Sequence, residues 1–128
     1  MGYGISKVVP MTFEEAIAKV TDELKKEGFG VLVEIDVKET MKKKLDVDFR
    51  KYRILGACNP ALAHRALEAE EEIGLLLPCN LIVYENKKGE TVVSAIDAGV
   101  MMSVVGRNDM SELAGTVTSK LRKVISSV

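Results

Sequence analysis

Phe13, Ala16, Ile17, Val20 and Leu24 recur every three or four positions, the spacing that places apolar residues on one stripe of an α-helix. Thr12-x-x-Glu15 stands at the head of that stripe as a capping box, in which each side chain accepts from a free N–H of the first turn. Gly28 follows at the point where a left-handed residue would stop the helix. Before it, Tyr3 to Val9 is a short β-type run ended by Pro10. After it, Phe29, Val31, Val33, Ile35 and Val37 alternate with more polar residues and predict a strand with one buried face. Glu39 to Leu45 suits a short surface helix or turn, and its Lys42-Lys43-Lys44 run reads as a solvated face.

Tyr52, Ile54, Gly56 and Cys58 alternate again and predict a third strand. Asn59 and Pro60 then open a second helix, because Asn caps well and Pro is suited to a first helical position. Leu62, Ala63, Ala66, Leu67 and Ile73 form its inner side, and Gly74 closes it. Leu75 to Pro78 bridges to a strand over Asn80–Glu85. A turn through Asn86–Gly89 returns the chain as a strand over Thr91–Ile96, a secure hairpin pattern. Asp97-Ala98-Gly99 interrupts the ladder, and the apolar segment Val100–Val105 has no decisive period. Asp109 or Ser111 is the expected cap of a last helix with Leu113, Val117, Leu121, Val124 and Ile125 as its stripe.

The predicted order is β-α-β-β-α-β-β-α. The two long helices, at about 13–28 and 111–126, each have one apolar stripe and so call for the same face of one sheet. A length of 128 residues suits one domain with one core, spanning 1–128.

Composition narrows the partners. Lys+Arg 18 against Asp+Glu 19 leaves a net charge of -1, which gives no long-range attraction to nucleic acid. No apolar run approaches the roughly 18 residues of a membrane span. No charged start precedes an apolar stretch in the manner of an export signal, so the cytoplasm and reduced thiols are the expectation. Met1-Gly2-Tyr3-Gly4-Ile5-Ser6 fits the short N-acylation pattern, but Ile5–Val9 reads better as strand.

Candidate chemistry concentrates between Ile54 and Glu85, which holds both cysteines, the only histidine and two Cys-Asn pairs, Cys58-Asn59 and Cys79-Asn80. Phosphate loops, dinucleotide fingerprints, H-E-x-x-H, C-x-x-C and G-x-S-x-G are absent from the sequence. Cys58, His64 and Cys79 form the candidate metal set, whose thiolate and imidazole donors suit zinc or copper, with Glu34, Glu85 or Asp97 as a fourth ligand. The structural alternatives are cysteines packed as small hydrophobes and His64 paired with Glu68 one turn along. Cys58 also precedes a helix start, where the dipole favours a thiolate and free N–H groups favour an anion. Met101, Met102 and Met110 suit an adaptable apolar pocket, a partner surface or core filling. Tyr52 and Tyr84 offer hydroxyls or simple packing. If the Tyr52–Cys58 and Asn80–Glu85 strands are antiparallel neighbours, the two Cys-Asn pairs meet at one end of the sheet.

Gly56-Ala57-Cys58-Asn59-Pro60, Ala63, Ala66-Leu67, Leu77-Pro78-Cys79-Asn80 and Val83-Tyr84-Glu85, in this order and spacing, resemble the domain-of-unknown-function family 302, over nearly the whole chain. The resemblance implies an α+β fold of the TATA-binding-protein-like type, a single curved antiparallel sheet with helices packed mainly on one face. It implies no DNA binding, since fold does not carry function, and it carries no catalytic residue over to this chain. The leading expectation is a domain that binds a small anionic ligand or a metal near Cys58, Asn59, Cys79 and Asn80. The alternatives are a thiol-based enzyme or redox sensor using Cys58, and a homodimeric interaction module without a ligand. A symmetric homodimer is the expected assembly.

Overall fold

The computed structural model describes residues 2–128, so Met1 of the acylation pattern lies outside the described residues. The elements are β1 (Gly4–Val9), α1 (Phe13–Lys26), β2 (Gly30–Asp36), α2 (Val37–Leu45), β3 (Tyr52–Cys58), α3 (Pro60–Ala69), β4 (Cys79–Glu85), β5 (Thr91–Ile96), α4 (Ala98–Ser103) and α5 (Ser111–Ser127), with 3-10 turns at Glu71–Leu76 and Asn108–Met110. The five strands form one sheet in the order β1-β5-β4-β3-β2, and every neighbouring pair is antiparallel. This is an α+β fold.

Alternation sorts the strand residues into two faces. Leu55 opposes Leu81, and Val83 opposes Val93. These residues are buried with Val20 and Leu24 of α1 and with Leu121, Val124 and Ile125 of α5 in one core. The two long helices therefore cover the same face of the sheet, as their single stripes require. The Thr12 capping box forms in both directions, with Glu15 N–H donating to Oγ1 at 3.1 Å and Thr12 N–H donating to the Glu15 carboxylate at 2.9 Å. A smaller cluster of Ala66, Ile73, Met110 and Leu113 joins α3 to the start of α5.

Three local expectations are corrected, and one segment left open is assigned. The period-two reading of Phe29 to Val37 gave one buried face, but a bulge shifts the register between Val31 and Val33. Val31 opposes Ala57 on the helix side, whereas Val33 and Ile35 oppose Gly56 and Ile54 on the other side and are 49% and 43% exposed. The extra residue is Leu32, and the bulge reverses the phase of everything after it. Val37 is no longer strand: Asp36 caps α2 by accepting from Glu39 N–H. The second helix ends at Ala69 and gives way to the 3-10 turn, rather than running on to Gly74. The unassigned Val100 segment is α4 and the turn after it, capped by Asp97, which accepts from Gly99 and Val100 N–H at 2.9 and 3.3 Å. Finally, neither Asp109 nor Ser111 caps α5: Met110 stands at that position without a side-chain bond, and the Asn108–Met110 turn leads directly into the helix.

Candidate functional site

At one end of the sheet, Ala57 of β3 opposes Cys79 of β4, so Cys58 and Cys79 come to the same end. Both line a cavity of about 300 Å³ that also takes in Leu32 from the bulge, Leu62 and Ala63 from α3, Met101 and Met102 from α4, and Leu113 and Val117 from α5. Its walls carry no charged side chain, and Asn59 is the one amide among them.

Several local contacts fix the elements around the cavity to one another. Asn59 caps α3 by accepting from Leu62 N–H at 3.3 Å and donates through Nδ2 to the Glu27 carbonyl at 3.3 Å. It thereby ties the start of α3 to the end of α1, where Gly28 adopts φ 83. A Cβ at Gly28 would meet Asn59 Nδ2 at 3.0 Å, so the close approach and the left-handed backbone both favour glycine there. On the far side, Arg107 donates to the Ala69 carbonyl, to Glu70 at 3.1 Å and to Asp109 at 2.5 Å. It fastens the segment after α4 to the end of α3.

The cysteines are unequal. Cys79 is 7% exposed, and its thiol is pushed up to about 11, first by burial and then by the neighbouring Cys58. Desolvation disfavours the thiolate, so Cys79 is a neutral thiol in the physiological range. Cys58 is half-buried and free.

The other sequence candidates part company here. Asn80 opposes Gly56 and belongs to the opposite face of the sheet, in a shallow depression with Tyr3, Tyr52 and Ser94. The two Cys-Asn pairs thus share an end of the sheet but not a face, because consecutive strand residues point to opposite sides. His64 is three-quarters exposed and stands 3.4 Å from Glu68, outside the cavity lining. Among the described residues no three His, Cys, Asp or Glu side chains gather to hold a metal ion. The structure thus does not gather Cys58, His64 and Cys79 around one point. Two of the suggested fourth ligands are engaged elsewhere: Glu34 pairs with Arg53 at 2.6 Å and Asp97 with Arg122 at 3.6 Å. The anion reading lacks support for a related reason. Asn59 and Pro60 occupy the first positions of α3, and no cationic side chain lines the cavity.

Sequence reasoning pointed to Cys58, Asn59, Cys79 and the methionines, but did not place Leu32, Leu113 or Val117 with them. Leu32 carried a readable sign: it is apolar at a position where strict alternation calls for a polar residue, a local mark of the bulge. Leu113 and Val117 were legible only as members of a helical stripe.

Fold and cavity together define a small α+β protein with a half-open apolar pocket at one end of an antiparallel sheet. Residues 5–128 match the family described as domain of unknown function DUF302, and the chain belongs to that family. Among solved structures it is similar to the uncharacterized conserved protein DUF302 from Bacillus stearothermophilus, with 28% identity, a TM-score of 0.92 and coverage of 99% of this chain and 98% of that one. No curated protein matches it. Among the described residues, no helix is long and apolar enough to cross a membrane.

Proposed function

We infer that the protein binds a small, neutral, largely apolar molecule in the cavity beside Cys58 and Cys79. The observation that carries this reading is the cavity itself: about 300 Å³, walled mainly by aliphatic side chains with Phe29 and two methionines, and with no charge in its lining. That volume lies at the small end of ligand pockets, roughly 300–1,000 Å³. Methionines suit such a wall because their unbranched side chains re-pack around guests of different shape. Polar selection would come from few groups, the Cys58 and Cys79 thiols and the Asn59 amide. A thiolate nucleophile is the less favoured reading, because no side chain able to take a proton as a base lines the cavity with the two thiols.

Native mass spectrometry of tag-free protein, together with titration of the neutral fluorescent dye phenylnaphthylamine, tests the reading. Saturable binding is expected, and Ala63→Phe, which fills the cavity from α3, abolishes it while the fold is retained. Absence of any co-purifying molecule together with dye fluorescence indifferent to Ala63→Phe would sink the proposal.

A further inference from the structure

The face of the sheet turned away from α1 and α5 has an unusual composition. Charged residues make up 29% of the chain, yet every charged residue of the five strands lies on the helix side. Lys7 opposes Val93, Glu34 opposes Leu55, Asp36 opposes Arg53, and Glu85 opposes Thr91, all in phase with the buried core. Four of these five charges have partners there. Lys7 Nζ donates to the Ser126 and Val128 carbonyls at the end of α5, and Arg53 pairs with Glu34 and Asp36.

The opposite face carries apolar, aromatic, small and amide residues only. Val8, Val33 and Ile35 are 53%, 49% and 43% exposed on it. Tyr52 and Tyr84 stack across the strands with ring centroids 5.2 Å apart, and Ile54 opposes Ile82 at the centre. An antiparallel sheet with one solvated face normally alternates apolar inside and polar outside. Here the second face departs from that pattern along all five strands, which is the composition of a covered surface rather than a wet one.

We propose that this uncharged sheet face is a homodimer interface and that its occupant is the same face of a second copy. Size and charge point to that partner. Five strands about 4.8 Å apart and about 20 Å long present roughly 500 Å² in flat projection. Side-chain relief and the flanking Tyr3 and Phe49 rings carry the accessible area toward the about 800 Å² per partner that a stable interface buries. A face without charges offers nothing for a charged partner to pair with, but it meets its own copy without repulsion or stranded ions. The net charge of -1 leaves the two copies with little long-range repulsion. A two-fold axis through the face would set each copy's residues against the other's, the self-complementary arrangement of most dimers.

Sedimentation equilibrium of the full chain across the micromolar range tests this. The expected mass is twice the 14.0 kDa of the chain. Ile82→Lys places a charge at the centre of the face. Val8→Lys and Ile35→Lys place one on each edge strand of the face, at positions already exposed in the monomer, where folding is little disturbed. Each is expected to weaken the dimer at least tenfold, with an unchanged far-ultraviolet circular dichroism spectrum. Leu75→Lys, 83% exposed and off the sheet, is expected to leave it intact. A wild-type chain that stays monomeric, or a dimer indifferent to Val8→Lys and Ile35→Lys, overturns the proposal.

Discussion

Raising the pH across the alkaline range should destabilise the fold through Cys79. Its thiol is held at about 11 against an ordinary value of 9.0, chiefly by burial. Below about pH 9 the thiol is protonated in both folded and unfolded chains, and its contribution to stability is intact. Above that, the unfolded chain releases the proton while the folded chain keeps it. The unfolded state then binds fewer protons, so stability falls as pH rises. The fall runs from about pH 9 to about pH 11 and levels off beyond. A gap of about two pH units corresponds to about 2.7 kcal/mol in full, and to about 2 kcal/mol by pH 10.5. Tyrosines and lysines titrate in the same range, so the measurement is a difference. Urea denaturation of the wild type and of Cys79→Ala, both under reducing conditions, is followed from pH 8 to 10.5. Cys79→Ala is less stable at pH 8 because it leaves a void, but its stability should decline less by about 2 kcal/mol over that range. Parallel decline of the two proteins would refute the assignment of Cys79 as a buried thiol that the fold keeps neutral.

The same geometry makes Cys58 the faster thiol: stoichiometric alkylation at pH 8 should modify Cys58 first, read by peptide mass spectrometry, with Cys79 reacting only on unfolding. Leu81→Ala, at a side chain 1% exposed in the core, should cost about 2–5 kcal/mol in chemical denaturation. Asn59→Ala removes both the α3 cap and the bond to the Glu27 carbonyl and should cost about 1–2 kcal/mol. His64→Ala, on an exposed helix face, should change stability by less than about 0.5 kcal/mol and leave ligand binding in the cavity untouched.

Much of the fold could be read from local signals because those signals act locally. The Thr12–Glu15 capping box, the stripe of α1 and the Asn59-Pro60 start of α3 each bring their partners within a few residues. The hairpin turn at Asn86–Gly89 works in the same way. The single apolar stripe on each long helix also carried the packing of both on one face, since a stripe must be covered and only a sheet face was there to cover it. The concentration of chemistry around Cys58 and Cys79 was visible as well, though not which of their neighbours would share it.

What tertiary structure decided was register and facing. One extra residue at Leu32 turned Val33 and Ile35 away from the core, and a strand's two-residue period lets a single insertion do that to everything beyond it. The same period divided the Cys79-Asn80 pair, leaving Cys79 in the cavity and Asn80 on the opposite face. It also collected the charges of five separate strands on the helix side and left the other side bare of them. His64 was set apart from the thiols by its angle around α3, and Leu113 and Val117 were brought to the cavity by a helix some fifty residues downstream. Those placements depend on pairings between distant segments, which residue spacing along the chain does not encode.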